Sequence, residues 1–315
     1  MSNTSFEIVI VGGGCAGLTA AIYTSRGFLS TCVVSGSTSG GQLMITTDVE
    51  NFPGFPKGVK GPELIERMRS QAEKFGAEFM DYDVDYVEKT GEDSFKAVLE
   101  NGSVLEAKAL IIATGASAKW LGLESEERLK GRGVSVCATC DGPFFKDKVT
   151  AVVGGGDAAM EEALFLSKFS PKVYVLVRRD KENLRASKIM QDKAFRTRKI
   201  EFLFNTEVKE ILGEKVVEGL ILHDNIKRED TKLDGVKGLF IAIGHKPNTD
   251  FLQGFLDLDR KGYVIVHEGT KTSVGGVFVA GDVADYKYRQ AVSAAGFGCM
   301  AALDAEKYIS DLQTQ

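Results

Sequence analysis

Histidine is scarce in this chain of 315 residues: His223, His245 and His267 are the only three. None is spaced to complete a zinc site with the single Cys-x-x-Cys, so no metal is expected. No segment approaches the ~18 consecutive apolar residues of a membrane span, and no membrane partner is expected. The opening MSNTSFE lacks a basic region ahead of an apolar one, which argues against a secretory leader. Positive charge is not in excess: 39 Lys and Arg face 44 Asp and Glu, a formal charge of −5. That balance speaks against nucleic acid as the main partner. Five cysteines, an odd and scattered set, do not make a disulfide framework. Cys15, Cys32 and Cys299 read as small buried hydrophobes, and a reducing, cytoplasmic setting is expected.

The rest of the composition is that of a globular protein, 43% hydrophobic and 26% charged. Single cores stop growing near ~250–300 residues, so two domains are expected. Residues 6–11 (FEIVIV) form a short, nearly continuous apolar run, as in a strand buried on both faces. A glycine turn, GGGCAG, and a helical LTAAIYTSRG follow. The same strand, turn and helix return as VTAVV, GGGDAA and MEEALFLSKF, the first glycines 142 residues apart. Two nucleotide-binding βαβ units are the natural meaning. Further strands are predicted at 78–87, 95–99, 110–113, 172–177, 239–243 and 277–280. An Ala- and Gly-rich helix is predicted over 290–309, close against another backbone or a cofactor.

The second unit is complete by about residue 243, yet strand and glycine signals resume at 277. The fold class expected is therefore α/β, with two Rossmann-like (three-layer ββα) dinucleotide-binding domains, the second inserted into the first. The domains are read as 1–115 with 246–315, and 116–245. Glycines in the crossings 113–116 and 243–247 would let them act as hinges.

In such a turn the first glycine allows the bend, the second lets backbone approach the pyrophosphate, and the third allows close helix–strand packing. Gly12, Gly14 and Gly17 take these places in the first unit, and Gly154, Gly156 and Ala159 in the second. The second strands end on Ser35 and Val177, neither of which is the acid that bonds a ribose 2′-hydroxyl. The later unit continues with Arg178 and Arg179, and then Arg185. Guanidinium groups there suit a 2′-phosphate, so NADPH is preferred to NADH. A solvated basic face is the plainer reading, since 178–199 holds nine Lys/Arg against three Asp/Glu. It accounts for the lysines better than for two arginines at a strand end.

Cys137 and Cys140 form the only Cys-x-x-Cys, Cys140 lying fourteen residues before Gly154. With no spaced partners for zinc, the choices are a redox disulfide or two small core thiols, and the first fits the neighbouring nucleotide turn. The pair is predicted to open a short helix, whose N-terminal partial charges would favour a thiolate. Asp141 adjoins it, either as the proton shuttle of disulfide exchange or as a helix N-cap.

The chain carries, in order, GGGCAGLTAAIY, GGQL (40–43), VENFPGF (49–55), IIATGA (111–116), VCATCDGPFF (136–145), VVGGGDAAMEEA (152–163), RRD (178–180), LRAS (184–187), AIGHKPNT (242–249), VFVAGDVAD (277–285) and RQAVSAAG (289–296). Through these motifs it resembles, over essentially its whole length, the low-molecular-weight thioredoxin reductases. The resemblance implies FAD in the interrupted domain and NADPH in the inserted one. FAD would be held by Gly12, Gly14, Cys15, Ala16, Gly17, Ser35, Gly41, Gln42, Leu43, Thr47 and Asn51. Val84, Ala113, Thr114, Gly115, Gly281, Asp282, Arg289, Gln290 and Ala291 would complete that site. NADPH would be held by Gly154, Gly156, Asp157, Ala158, Ala159, Arg178, Arg179, Arg185, Ile243 and Gly244.

It also implies thioredoxin as protein substrate, a homodimer, Cys140 as the flavin-facing sulfur, and Cys137 as the one that attacks substrate. The chain departs from the family pattern at Cys15, where proline is common, and at Val177, where histidine is common. A longer DKEN loop precedes Arg185. Reacting atoms must come within about 3–3.5 Å, and nicotinamide and disulfide sit in one domain. The inserted domain is therefore expected to rotate about 113–117 and 243–247. Reduction of another disulfide partner, of a peroxiredoxin or small-molecule kind, and a non-turnover FAD sensor are the alternatives.

Overall fold

A computed structural model describes residues 4–46 and 48–314. The chain divides into two compact units: the described residues up to Ser117 with those from Lys246 onward, and Ala118–His245.

The first unit opens with β1 (Ser5–Val11), α1 (Cys15–Arg26) and β2 (Thr31–Val34), then α2 (Gly61–Lys74) and β3 (Glu78–Met80). β4 (Val84–Gly91), β5 (Ser94–Leu99) and β6 (Val104–Ile112) follow. The second unit carries α3 (Glu124–Leu129), β7 (Val134–Ser135), α4 (Ala138–Asp141), β8 (Val149–Val153), α5 (Asp157–Leu166), β9 (Val173–Val177), α6 (Lys188–Arg196) and β10 (Ile200–Phe204). It ends with β11 (Thr206–Leu212), β12 (Gly219–Asp224), β13 (Glu229–Asp234) and β14 (Val236–Ile241). The return to the first unit adds β15 (Val277–Val279) and α7 (Ala291–Gln313).

In the first unit the sheet runs β3-β2-β1-β6-β5-β4, with β15 also against β6. β1, β2, β3, β6 and β15 pair in parallel, while β4, β5 and β6 pair antiparallel. Alternation sorts the central strands between two cores: Val9 and Val11 face one with Cys32 and Leu110, and Ile8 and Ile10 face the other with Val33 and Ile111. This explains why FEIVIV, apart from Glu7 near its start, is apolar on both faces. The second unit repeats the plan with a parallel β7-β14-β8-β9-β10 sheet. α5 and α6 cover one face, with Met160 and Ala194 in that core; Val208, Ile211, Leu220 and Leu222, from the antiparallel β11-β12-β13 sheet, cover the other.

Two sequence expectations are corrected. The single strand predicted at 78–87 is two, β3 and β4. They part at 81–83, where Asp81 and Asp83 turn to accept hydrogen bonds from Ser35, Arg69 and Ser37. The β11-β12-β13 sheet was not foreseen at all. β13, EDTKLD, is almost wholly exposed and gives no apolar alternation to read. Among the described residues no helix is long and apolar enough to cross a membrane.

Candidate functional site

Both glycine turns are required by the protein at their first position and left open at their second. A Cβ on Gly12, at φ +122°, would stand 2.2 Å from the Ala113 carbonyl oxygen, and one on Gly17 would stand 1.9 Å from the Gly12 oxygen. On Gly154 it would meet the Ala242 oxygen at 2.5 Å. Gly14 and Gly156 meet nothing within 4 Å, so no neighbour among the described residues demands glycine there. Each is the N-cap of a helix, α1 or α5, with no side chain capping the exposed N–H groups. An anion approaching the backbone would need that open space and those donors.

The predicted FAD residues of the first unit largely gather around its turn. Gly12 sits on Ala113 and Thr114; Gly281, at φ +79°, sits on Ala16; and Gly13 sits on Ser35. The Ser35 hydroxyl donates to Asp81, and the Arg69 guanidinium, ahead of that bond, holds the Asp81 carboxyl below its usual range. An acid therefore does stand at the end of β2, supplied from 46 residues downstream. Val84 follows Asp83, whose carboxylate holds Ser37, in the same loop cluster. Gln42 donates to the Ala116 carbonyl at 3.4 Å, Leu43 lies under Gly61, and Gly41 stands in open space at φ +63°. Asn51 donates to Gln290 Oε1 at 3.3 Å, and Gln290 with Ser293 forms the capping box of α7, so that Ala291 opens that helix. Arg289, at φ +47°, donates through its guanidinium to the Tyr286 carbonyl. Thr47 lies outside the described residues.

Among the described residues, Asp282 is a carboxylate with one buried oxygen left unsatisfied. Its Oδ1 is buried without a hydrogen-bond partner. Burial, reinforced by Asp285 and opposed by Arg289, pushes its carboxyl up to about 7. Cys15, in the turn, is pushed up to about 12, by burial first and by the Asp282 charge second, so it stays a thiol at neutral pH. A buried acceptor beside an open glycine turn fits a ligand that brings hydroxyl donors, as the ribityl chain of FAD does.

In the second unit a cleft of about 550 Å³ brings together Gly154, Arg178, Arg179, Arg185 and Ile243. Arg185 is fixed more firmly than its loop suggested, because its N–H and that of Ala186 donate to Gly155 O at 2.9 and 3.0 Å. The Arg178 carbonyl accepts from Asn225 Nδ2 at 3.3 Å and the Arg179 carbonyl from Asn205 N–H at 3.1 Å, which holds the strand end carrying both guanidiniums. Asp157 turns to the Ser187 N–H at 2.7 Å and so joins the starts of α5 and α6. Ala158 lies beside it in the first turn of α5, and the buried Ala159 packs on Gly154. Gly244, at φ +105°, accepts the Lys119 N–H at 3.0 Å. Charge opposite phosphate and open backbone at the turn fit NADPH.

Cys137 and Cys140 are joined as a disulfide, Cα to Cα 5.3 Å, with Cys137 as the N-cap of α4. That helix is a single turn, so its N-terminal charge comes only from a few N–H groups; those of Cys140 and Asp141 turn back to the Cys137 carbonyl at 3.2 and 3.1 Å. Asp141 makes no side-chain cap to the turn that follows. Its carboxyl is raised by burial, a hydrogen bond from Ser135 opposing, which enlarges the protonated fraction that a proton donor needs. Ser135 also receives the Cys137 N–H at 3.1 Å.

Sequence reading missed Asn248, which binds Thr114 both ways (Oγ1 to its carbonyl at 2.7 Å, Nδ2 to the Thr114 carbonyl at 2.9 Å) and ties the returning chain to the first unit. It also missed Thr206 and Glu207 in the cleft, which belong to the unforeseen sheet.

Residues 6–298 match the family model for pyridine nucleotide-disulphide oxidoreductases. The thioredoxin reductase of Streptomyces clavuligerus is 53% identical over 309 residues, 97% of this chain and 94% of that protein. That of Mycolicibacterium smegmatis is 49% identical over 98% of each. The solved thioredoxin reductase from Giardia duodenalis superposes with a TM-score of 0.92 at 43% identity, covering 98% of this chain and all of the other. On these matches the chain belongs to the pyridine nucleotide-disulphide oxidoreductase family, among its thioredoxin reductases.

Proposed function

We propose that this protein uses NADPH to reduce the disulfide of thioredoxin, with NADPH and a proton entering and NADP⁺ and a dithiol leaving. The observation that carries the reading is that one unit holds both the Cys137–Cys140 disulfide and an arginine-lined cleft at a glycine turn. FAD, when bound, supplies the two-electron centre between hydride donor and disulfide. The first unit holds it through the open turn at Gly14, the Asp282 carboxyl and the N-terminus of α7, where exposed N–H groups favour negative charge. Arg178, Arg179 and Arg185 hold the 2′-phosphate of NADPH.

Once Cys137 and Cys140 are a dithiol, the Cys137 thiolate attacks one sulfur of thioredoxin's disulfide and forms a mixed disulfide. Cys140 then attacks the Cys137 sulfur, which re-forms the internal disulfide and releases reduced thioredoxin. Asp141 carries the proton to the departing thiolate. The second unit turns about 113–117 and 243–247 between the two half-reactions; what supports this is glycine at positive φ with open space in both crossings, Gly115 and Gly244.

The reading extends to a homodimer in the cytoplasm. Exposed Tyr23, Val292, Met300 and Leu303 on the α1 and α7 helices support the first, testable by light scattering, and three thiols outside the disulfide support the second. The deciding experiment is anaerobic addition of NADPH and then oxidised thioredoxin, followed at the flavin band. NADPH should bleach the band and thioredoxin should restore it; a band that thioredoxin leaves bleached would reject this substrate.

A further inference from the structure

Trp120 is the only tryptophan in the chain, and it lines the cleft that contains Arg178, Arg179 and Arg185. No regular secondary structure includes it, yet the surrounding backbone is held at both ends. Before it, the Lys119 N–H donates to Gly244 O at 3.0 Å. After it, the Leu121 and Gly122 N–H groups donate to the two carboxylate oxygens of Glu126 at 3.0 and 2.9 Å. Glu126 is 1% exposed, and a buried carboxylate that accepts two N–H bonds makes a firm anchor. The indole packs against the second unit's core and carries the Lys130 ammonium 4.1 Å from its ring centroid. An aromatic wall is thus prebuilt in a cleft whose other features address phosphate.

We propose that Trp120 is the stacking surface for the adenine ring of NADPH. The 2′-phosphate that the arginines suit sits on the ribose bearing adenine, one sugar from the base. The nicotinamide lies beyond two further phosphates and a second ribose. An aromatic side chain sharing a cleft with the phosphate-binding arginines therefore meets adenine first. Stacking of a base on an aromatic side chain is sequence-tolerant and substantial, and its removal weakens binding by roughly ten-fold or more. The inference rests on this cleft being the NADPH site.

The test uses the flavin-loaded protein and calorimetric titration with NADP⁺, adenosine 2′,5′-bisphosphate and nicotinamide mononucleotide, none of which drives turnover. Trp120→Leu should weaken NADP⁺ and the adenosine bisphosphate about ten-fold, while Trp120→Phe, which keeps a ring, should stay within about two-fold of wild type. Indole emission of the wild type should change on adding the adenosine bisphosphate. Flavin content and melting temperature of Trp120→Leu report whether it folds normally. If Trp120→Leu binds both ligands as wild type does while Arg178→Ala still weakens them, the stacking role is overturned and the cleft assignment stands. If Trp120→Leu weakens only nicotinamide mononucleotide and NADP⁺, adenine is the wrong base. If the wild type binds neither NADP⁺ nor the adenosine bisphosphate, the cleft assignment itself fails and the proposal with it.

Discussion

Asp282 ties folding to ligand chemistry through one unpaired oxygen. Its native carboxyl holds a proton up to about pH 7, against 3.8 unperturbed, with burial as the main cause and Asp285 adding to it. Its contribution to stability is therefore full below the unfolded value, declines as pH rises, and is lost above about 7. In flavin-free protein, Asp282→Asn should raise stability at pH 8 by on the order of a few kcal/mol and change it little at pH 4; parallel urea curves at both pH values would refute the buried charge. Cys140→Ser should keep its flavin and still accept hydride from NADPH, while thioredoxin reduction falls by at least about a thousand-fold. Retention of that activity would reassign the sulfurs. Arg178→Ala with Arg179→Ala should raise KM for NADPH more than for NADH, and equal effects would remove the 2′-phosphate role. The roles of glycines and arginines were legible because local sterics and charge define them. Those of Asp81 and Asn225 were not, because each acts on a strand end far from it in the chain.

α7 shows why composition alone identified a tight helix but not its neighbour. Its Ala- and Gly-rich sequence admitted either a backbone or a cofactor, and at Gly298 the answer is a backbone: a Cβ there would stand 2.0 Å from the Ala16 oxygen of α1. Gly298→Ala should cost about 2–3 kcal/mol and loosen flavin, because α1 begins at the glycine turn. Gly296→Ala has nothing within 4 Å and should be neutral or stabilising by up to about 1 kcal/mol. Thermal melts and flavin-to-protein ratios of the two variants check the contrast, and equal losses would mean that α7 does not pack as described. Buried elements such as β1 and β8 were readable from apolar runs alone. The β11-β12-β13 sheet was hidden because its outer strand turns only Leu233 inward and carries charge on both faces.

At the scale of the molecule, the chain passes between its two units twice, and both passages use glycine in a backbone region other residues avoid. Gly115 is at φ +69° and Gly244 at φ +105°, and neither would meet a neighbour within 4 Å if given a Cβ. No packing constraint therefore explains glycine at these points, whereas at Gly12 or Gly298 contact does. The positive φ by itself selects glycine there, and the same missing side chain leaves the backbone the conformational freedom that a hinge needs. Alanine at both positions should narrow the accessible φ/ψ range at a cost of about 1–3 kcal/mol each, without touching Asp282, the arginines or the cysteines. If one unit must turn between half-reactions, kcat with thioredoxin should fall several-fold in the double variant, by more than its flavin content or its affinity for NADP⁺ changes, both measured alongside because Gly115 and Gly244 also stand in the two expected cofactor sites. Stopped-flow traces should place that loss between hydride transfer and disulfide reduction. Wild-type turnover in a variant whose flavin content and melting temperature are normal would show that these glycines are not where the motion occurs.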